Sequence, residues 1–439
     1  MNRSSTRWFA VAFALCVPLA AMAAQPKPVA DPVARATTLL DHLDAGEFAD
    51  AEAMFTAQMA QAVPADKLQA LWEALPQQAG PSSGRGLPVV AADGDIRVVT
   101  VPLKHAVPLQ AKIAVQPDGR IAGLFIQPAP PPPADAPAAD AGFAERDFAV
   151  DGLPGTLAMP AGASADTPVP AVVLVHGSGP HDRDETIGPN RPFLDTARGL
   201  AAKGIAVLRY EKRTKARPQE FADGAFDMDD ETTDDAVAAV AALRDVEGID
   251  PARVYVLGHS QGAMLAPRIA LQSGDVAGLV MLATPARPLL DLLPEQNRYL
   301  LGLDGGISAD EQAFLDQLDA QIAAARSDAD VAASALPLGL PAGYWRAFDA
   351  IDPVADARAT DVPLLILHGG RDIQVVDTDW QLWLDAFGDD PRITLRAYPA
   401  LNHLGIAGEG PGNLAEYQQA GHVDATLIAD IAAWIQARP

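Results

Sequence analysis

Residues 254–262 read Val-Tyr-Val-Leu-Gly-His-Ser-Gln-Gly, and this stretch decides the fold. Its apolar first half predicts a buried strand, and the good helix formers that follow Gly262 predict a helix. Ser260 therefore stands on a sharp strand-to-helix turn, where its backbone is strained and minimal side chains two residues to either side let strand and helix approach closely. This arrangement is typical of a nucleophilic serine held at the edge of a parallel sheet.

The chain around this stretch alternates apolar strands with helices, which predicts a mostly parallel sheet with helices on both faces. Nearly continuous apolar runs predict strands at 171–175, 205–208, 254–257, 279–282 and 364–367, followed by a more mixed strand at 393–398. Helices are predicted near 191–203, 233–246, 261–272, 378–387 and 423–437. The alternation stops between 286 and 351, where Ser308 and Glu311 form a capping-box pair, so we expect a helical cap insertion there.

The N-terminus has the pattern of a signal peptide over residues 1–23. Arg3 and Arg7 precede the apolar run 8–19, which ends in the small-residue pattern Ala21-Met22-Ala23. The run is too short for a comfortable membrane span, so we expect cleavage and a periplasmic or secreted protein with no stable membrane anchor. An uncleaved N-terminal anchor is the alternative.

Residues 32–127 predict a small α+β domain of helices followed by an antiparallel sheet. Three short helices are expected before residue 75, and the Asp93-Gly94 and Asp118-Gly119 dipeptides favour hairpin turns between the strands that follow. A proline- and alanine-rich stretch at 128–142 predicts an extended linker, and residues 143–439 form the second domain.

Composition excludes several classes of protein. The 57 acidic and 32 basic residues give a net charge of -25, which repels nucleic acid and anionic lipid headgroups. The only cysteine is Cys16, which leaves no thiol elsewhere for a nucleophile, a disulfide or a thiolate-bound metal. Neither a His-Glu-x-x-His pair nor a Walker loop occurs, and the sequence predicts no metal and no cofactor.

A nucleophilic serine needs a base and an acid that orients the base, and both come later along the chain in this kind of fold. Asp372 follows the predicted strand 364–367, and His403 follows the strand 393–398. Both are expected at the carboxyl edge of the sheet, where Ser260 also lies.

Three residues are alternatives to this assignment. Asp377 and Asp379 are fallback acids, and His422 is the other histidine after Asp372. His422 is expected at the start of the final helix, where the positive end of the helix dipole disfavours an imidazolium, so His403 is the preferred base.

Acyl transfer also creates an oxyanion, which needs two backbone N–H donors aimed at it. We expect these donors to be Gln261, directly after the serine, and Ser178, in the glycine-rich loop after the strand 171–175. That loop also resembles a dinucleotide fingerprint, but Asp182 stands where the last glycine belongs and would repel a pyrophosphate.

Charged and histidine residues near these loops are expected to be structural. The run 181–185 is expected to be a solvated charged loop, with a substrate entrance as the alternative. His176 and His259 are expected to shape their turns, and residues 211–213 are expected to form structural ion pairs.

Together these motifs resemble the α/β-hydrolase superfamily. More narrowly, residues 176–190 and 208–213 resemble bacterial serine esterases of the dienelactone-hydrolase-like branch, and residues 32–127 resemble a domain of unknown function, cone-shaped like nuclear transport factor 2, that precedes some of them. The resemblance implies an α/β-hydrolase fold and carboxylic-ester hydrolysis by Ser260, His403 and Asp372. Dienelactone hydrolases themselves use a cysteine, so their substrate is not implied.

The sequence thus predicts an exported serine hydrolase that cleaves small-molecule esters with short-to-medium acyl chains. The cap insertion supplies apolar side chains for an acyl chain, and part of them must pack the cap itself. An aminopeptidase-like peptidase and an acyl thioesterase share the same machinery and stay open as alternatives, and a non-catalytic binding protein is the remote one. Oligomeric state is not predicted.

Overall fold

The computed structural model describes residues 31–438 apart from 130–133, 139, 223, 304, 328 and 330. The predicted signal peptide therefore lies outside the described residues. The chain divides into two compact units, one ending at residue 132 and one beginning at residue 133. In the described part, no helix is both long enough and apolar enough to cross a bilayer.

The first unit contains four helices followed by an antiparallel sheet of four strands in sequential order. The helices are α1 (Pro32–Ala45), α2 (Phe48–Ala53), α3 (Ala57–Ala62) and α4 (Ala65–Ala79). The strands are β1 (Val89–Asp93), β2 (Ile96–Leu103), β3 (Leu109–Val115) and β4 (Ile121–Pro128). One apolar core joins the helices to one face of the sheet.

The helices of this unit differ from the expectation of three. Gly46 ends α1 with φ 76°, as its freedom to adopt a positive φ predicts. The segment before Pro64 then forms two helices, because Thr56 interrupts it: its hydroxyl accepts from the Met59 N–H at 3.2 Å, and its own N–H donates to the Ile121 carbonyl at 2.9 Å. Thr56 is thereby the N-cap of α3.

The second unit is built on a sheet of eight strands in the order β12-β11-β10-β9-β7-β8-β6-β5. The strands are β5 (Phe143–Asp147), β6 (Gly155–Pro160), β7 (Val169–Val175), β8 (Ala206–Tyr210), β9 (Ile249–His259), β10 (Gly278–Leu282), β11 (Leu364–Gly369) and β12 (Ile393–Tyr398). The six strands from β12 to β8 pair in parallel, whereas β6 and β5 add antiparallel strands at one edge. The pattern is the mostly parallel sheet that the sequence predicts.

Helices cover both faces of this sheet. The helices of the second unit are α5 (Pro192–Ala201), α6 (Arg213–Ala216), α7 (Asp234–Arg244), α8 (Gln261–Ser273), α9 (Leu289–Gly302), α10 (Ala309–Ala325), α11 (Ala342–Asp349), α12 (Pro353–Ala359), α13 (Asp377–Phe387) and α14 (Ala425–Gln436). Apolar side chains of α5 and α14 share a core with one face, and those of α7, α8 and α13 share a core with the other. The buried strands β7 to β11 lie between these two cores.

Helices α9, α10 and α11 make up the insertion between β10 and α12, and the described residues from 285 to 352 include no strand. The capping box that opens α10 is present: Ser308 accepts from the Glu311 N–H at 3.3 Å, and the Glu311 carboxylate accepts from the Ser308 N–H at 2.8 Å. The predicted local signal therefore forms the predicted contact.

Candidate active site

Ser260 lies at the junction of β9 and α8 with φ 53° and ψ −117°. This left-handed conformation is rare for a residue with a side chain and is stored strain. A side chain at Gly258 would overlap the carbonyl oxygen of Gly262, and one at Gly262 would overlap that of Val175. Only glycine fits at both positions, and the turn exposes Ser260 in part while its two sequence neighbours are buried.

Asp372 and His403 meet at the carboxyl edge of the sheet. The Nδ1–H of His403 donates to Oδ2 of Asp372 at 2.7 Å, and both side chains are buried. The second carboxylate oxygen, Oδ1, accepts from the backbone N–H groups of Gln374 at 2.8 Å and Val375 at 3.0 Å. Three donors therefore fix the carboxylate, which leaves Nε2 of His403 as the ring nitrogen able to accept a proton.

His403 lies beside the turn that carries Ser260. The His259 Nε2–H donates to the His403 carbonyl at 2.9 Å, and the two imidazole centroids are 4.7 Å apart. Asn402 stabilises the same loop, since its side-chain oxygen Oδ1 accepts from the backbone N–H groups of Leu404 at 3.0 Å and Ile406 at 3.2 Å. The structure thus pairs His403 with Asp372 and holds the His403 loop against the residue that precedes Ser260.

The three alternative residues have other partners. His422 lies before α14 with its side chain 86% exposed, and its Nδ1 is 3.1 Å from Oδ1 of Asp195. Asp377 is exposed and accepts from the His368 ring at 3.0 Å. Asp379 is fully buried and accepts from the Ala286 N–H at 2.9 Å and from the Arg287 guanidinium at 2.6 Å. None of these contacts involves His403.

The two predicted oxyanion donors lie on the loops that meet at Ser260. A side chain at Gly177 would come within 3.3 Å of the Ser260 Cβ, so the loop that contains Ser178 contacts the serine directly. Gln261 is the first residue of α8, where an N–H has no partner within the helix. Within the described residues, no carbonyl or side chain accepts from the N–H of Ser178 or Gln261, so both donors are available.

Glu185 contradicts the expected solvated loop. It is fully buried with φ 51°, and its Oε1 accepts from the Gly177 N–H at 2.6 Å. Its Oε2 is 3.0 Å from Nδ1 of His259. Burial raises the pKa of the Glu185 carboxyl, but the charge of His259, the hydrogen bond with it and the charges of His181 and His176 together outweigh burial and lower the pKa to about 2. A solvated loop is therefore the wrong interpretation at Glu185.

His259 is the partner of Glu185 in this contact. Burial lowers its pKa, but the charge of Glu185, the hydrogen bonds with Glu185 and with the His403 carbonyl, and the charge of Asp372 together outweigh burial and raise the pKa above its ordinary value. Both of its ring nitrogens face an oxygen: Glu185 Oε2 is 3.0 Å from Nδ1, and the His403 carbonyl is 2.9 Å from Nε2. His259 thus links the loop of Gly177, through Glu185, to the loop of His403, which is the structural role expected of it.

The expected ion pairs of residues 211–213 are present, and one of them reaches the candidate site. Arg183 lies 3.2 Å from Glu211, and Arg213 contacts Asp235. Lys212 is buried, 2.6 Å from Glu231, and its Nζ also donates to the Gly177 carbonyl at 2.9 Å. This last contact was not predicted, although Lys212 follows β8 at the same carboxyl edge.

One group of side chains among the described residues has the spacing of metal ligands, and it lies in the first unit. Atoms of His42, Glu47 and Asp50 lie within 4.8 Å of one another. Glu47 and Asp50 are exposed, and Nδ1 of His42 contacts Glu47 at 2.6 Å.

The sheet topology, the strained serine and the aspartate–histidine pair that follows it along the chain define an α/β-hydrolase, which confirms the predicted fold. A family model described as serine aminopeptidase, S33, matches residues 166–409, more than half of the chain. The chain is also 36% identical to the esterase EstD of Thermotoga maritima over 402 residues, which is 90% of this chain and 93% of EstD. It therefore belongs to the serine aminopeptidase S33 family of hydrolases. The near full-length match to an esterase confirms the predicted enzyme class, carboxylesterase.

Solved structures of esterases are also similar to this chain. Est1E from Butyrivibrio proteoclasticus, with ferulic acid bound, is 18% identical and covers 67% of this chain and 100% of its own, with a TM-score of 0.42. A fungal esterase from Rhizomucor miehei is 17% identical and covers 69% of this chain and 85% of its own, with a TM-score of 0.43.

Proposed function

We propose that this carboxylesterase cleaves its substrate through an acyl-enzyme, with Ser260 as nucleophile, His403 as base and Asp372 as the acid that orients the base. The observation that carries the proposal is the 2.7 Å hydrogen bond from His403 to Asp372 beside a serine in a strained turn. Each group follows a parallel strand, and their order along the chain is that of α/β-hydrolases.

The chemistry follows from this arrangement. Nε2 of His403 takes the Ser260 proton as the hydroxyl oxygen attacks the ester carbonyl, and the N–H groups of Ser178 and Gln261 stabilise the oxyanion that forms. The C–O bond to the alcohol then breaks, and His403 returns the proton to the departing alkoxide. Water repeats the sequence on the acyl-enzyme, releasing the carboxylic acid and regenerating Ser260.

The test of this mechanism is covalent labelling with a fluorophosphonate. Folded enzyme should be labelled at Ser260, and Ser260→Ala should lose both labelling and ester hydrolysis. Folded protein that resists labelling would instead favour the non-catalytic binding protein. Ser308→Ala, at an exposed position of the cap, is the matched serine variant and should label normally.

We propose short-to-medium acyl esters as substrates, on the strength of the cap. Much of its apolar surface packs the cap itself, since Leu290, Leu292, Leu315 and Trp345 are buried. A limited set of apolar side chains on α9 remains partly exposed, and this favours a modest acyl chain over a long one. Hydrolysis of p-nitrophenyl esters of graded length should peak at short-to-medium chains, with Ser260→Ala as the blank.

A serine aminopeptidase is the second candidate, because the family model carries that description. Peptide hydrolysis would use the same serine, histidine and oxyanion donors, so only substrates separate the two activities. Aminoacyl-anilides and acyl-CoAs should be cleaved with a kcat/KM below that of the best ester. An anilide that exceeds every ester would reassign the enzyme as a peptidase, and an acyl-CoA that does so would make it a thioesterase.

We also propose export to the periplasm or the medium. The support is the residue pattern of positions 1–23, with Arg3 and Arg7 ahead of an apolar run that ends at small residues. Expression of the full chain in a Gram-negative host should deliver a periplasmic protein whose N-terminus, read by Edman sequencing, is Ala24. Recovery of the uncut chain from the membrane fraction would support the uncleaved anchor instead.

A further inference from the structure

Lys212 is a buried cation whose contacts the ester chemistry above does not use. Its side chain is 2% exposed, and Nζ lies 2.9 Å from the Gly177 carbonyl oxygen and 2.6 Å from Oε1 of Glu231. A buried ammonium is costly unless it is paired and hydrogen-bonded. Here one of its partners is a backbone carbonyl in the loop that contacts Ser260.

That carbonyl belongs to the same peptide group as the Ser178 N–H. The described peptide bonds are all trans, so the C=O of Gly177 and the N–H of Ser178 point in opposite directions. A donor that fixes the carbonyl on one side therefore fixes the direction of the N–H on the other. Glycines flank Ser178 at 177 and 179, and such a segment rotates easily unless its peptide groups are held.

The peptide group before it is held as well. The Gly177 N–H donates to Glu185 at 2.6 Å, so it is not free to bind an oxyanion, and Glu185 is tied in turn to His259. Lys212 and Glu185 thus clamp the two consecutive peptide groups on either side of the Gly177 Cα. With both of these peptide groups held in place, the N–H that is left to bind an oxyanion is that of Ser178.

A cation on a carbonyl also changes the donor strength of the N–H in the same amide. The ammonium draws electron density toward the carbonyl oxygen, and hydrogen bonds that include a charged partner are roughly twice as strong as neutral ones. The site is buried, so water screens this effect little. The Ser178 N–H becomes a stronger donor to a developing negative charge.

Glu231 keeps the ammonium in place and connects it to the other oxyanion donor. Burial raises the pKa of Glu231, but the Lys212 charge and the hydrogen bonds from Lys212, Tyr344 and Gln261 together outweigh burial and lower it. Oε2 of Glu231 accepts from the Tyr344 hydroxyl at 2.7 Å and lies 3.5 Å from the side-chain nitrogen of Gln261. The pair therefore contacts residues of both oxyanion loops.

We propose that Lys212 is a positioning residue of the oxyanion hole: it orients and polarises the Gly177–Ser178 peptide so that the Ser178 N–H stabilises the tetrahedral intermediate. The proposal rests on the function proposed above. It predicts a loss in transition-state binding with little change in substrate binding, because the oxyanion forms only during reaction.

The experiment compares Lys212→Met with the wild type in hydrolysis of a p-nitrophenyl ester. We expect kcat to fall about 10²-fold, the scale of one lost or misplaced oxyanion donor, with KM within about threefold. The Ki of a trifluoromethyl ketone, which forms a tetrahedral adduct on the serine, should rise by the same factor as kcat falls. If Lys212 were purely structural, the folded variant would keep the wild-type kcat and the wild-type Ki.

Two further variants keep the test decisive. Lys212→Met leaves Glu231 unpaired in the interior, so the double variant Lys212→Met/Glu231→Gln removes both charges and carries the test where the single variant does not fold. The matched control is Arg213→Met/Asp235→Asn, which removes the neighbouring ion pair that does not touch Gly177. It should change kcat by less than about threefold.

The outcomes separate the two proposals. A folded Lys212 variant with wild-type kcat and wild-type Ki, alongside an inactive Ser260→Ala, would overturn the role of Lys212 and leave the esterase mechanism standing. An active Ser260→Ala would overturn the mechanism itself, whatever Lys212 does.

Discussion

The hydrogen bonds of the Asp372 carboxylate determine what its replacement by asparagine does to His403. In Asp372→Asn the side-chain oxygen must stay with the N–H groups of Gln374 and Val375, which lie 2.8 and 3.0 Å from Oδ1 and can only donate. The amide nitrogen then faces Nδ1 of His403 in place of the carboxylate oxygen. Because that nitrogen is a donor, His403 must accept at Nδ1 and carry its proton on Nε2.

The cost of this substitution follows from the tautomer. A histidine protonated at Nε2 cannot take the Ser260 proton, and the imidazolium would also lose its counter-charge. The type case of a serine-protease triad loses about 10⁴-fold in kcat on such a change, and we expect about 10³–10⁴-fold here. At about 1.4 kcal/mol for each tenfold, this is roughly 4 to 5.5 kcal/mol of transition-state stabilisation.

The assay is kcat for p-nitrophenyl butyrate at pH 8, together with the rate of fluorophosphonate labelling, which should fall in parallel. Asp377→Asn is the matched control, because Asp377 makes the same kind of contact to a histidine but is 87% exposed. It should stay within about twofold of the wild type. A folded Asp372→Asn enzyme with kcat within tenfold of the wild type would refute the reasoning.

Three further predictions follow from the same structure. His403→Ala should lower kcat by several orders of magnitude, whereas His422→Ala, at an exposed surface pair, should change it by less than about threefold; the opposite ranking would make His422 the base. Deletion of residues 24–140, which removes the first unit, should leave kcat for a small activated ester within about tenfold, or roughly 1.4 kcal/mol, and a larger loss in folded enzyme would show that this unit completes the site. Burial lowers the pKa of His176 to about 3 from 6.5, so the unfolded chain binds a proton that the folded chain does not between these pH values. The contribution of neutral His176 to the free energy of unfolding is therefore present above pH 6.5, and about 2 kcal/mol of it is lost between pH 7 and pH 5. Urea unfolding at a series of pH values should show this loss, and His176→Gln should reduce the dependence of the free energy of unfolding on pH.

The sheet could be predicted where burial leaves a mark on the sequence. Strands β7 to β11 lie between two apolar cores, so they appear as continuous apolar runs, and their places along the chain were predicted, although β9 (Ile249–His259) is much longer than the predicted 254–257. Strands β5 and β6 were not predicted. β5 is an edge strand with mostly exposed or half-exposed residues, and such a strand has no apolar run to mark it.

Caps and turns could be predicted because the residues that form them are close together along the chain. Gly46, Ser308 and the Asp118-Gly119 turn act through neighbours a few residues away, and each forms the structure that its residue type favours. Thr56 was missed because the contact that completes the break in the helix is with Ile121, in a strand far along the chain. Contacts across such distances leave no periodic signal.

Part of the candidate site could be predicted from the sequence and part could not. Ser260, Asp372 and His403 could be selected because each follows a parallel strand, and the carboxyl ends of parallel strands meet at one edge. Lys212 also follows β8 at this edge, but within the charged run 211–213 its sequence signal is indistinguishable from that of a surface ion pair. Its role depends on the Gly177 carbonyl and on Glu231, which reach it only through the fold. A charged residue within two positions of the end of a buried parallel strand therefore merits the same attention as a serine or a histidine there, because ligands bind at the carboxyl edge in open α/β sheets.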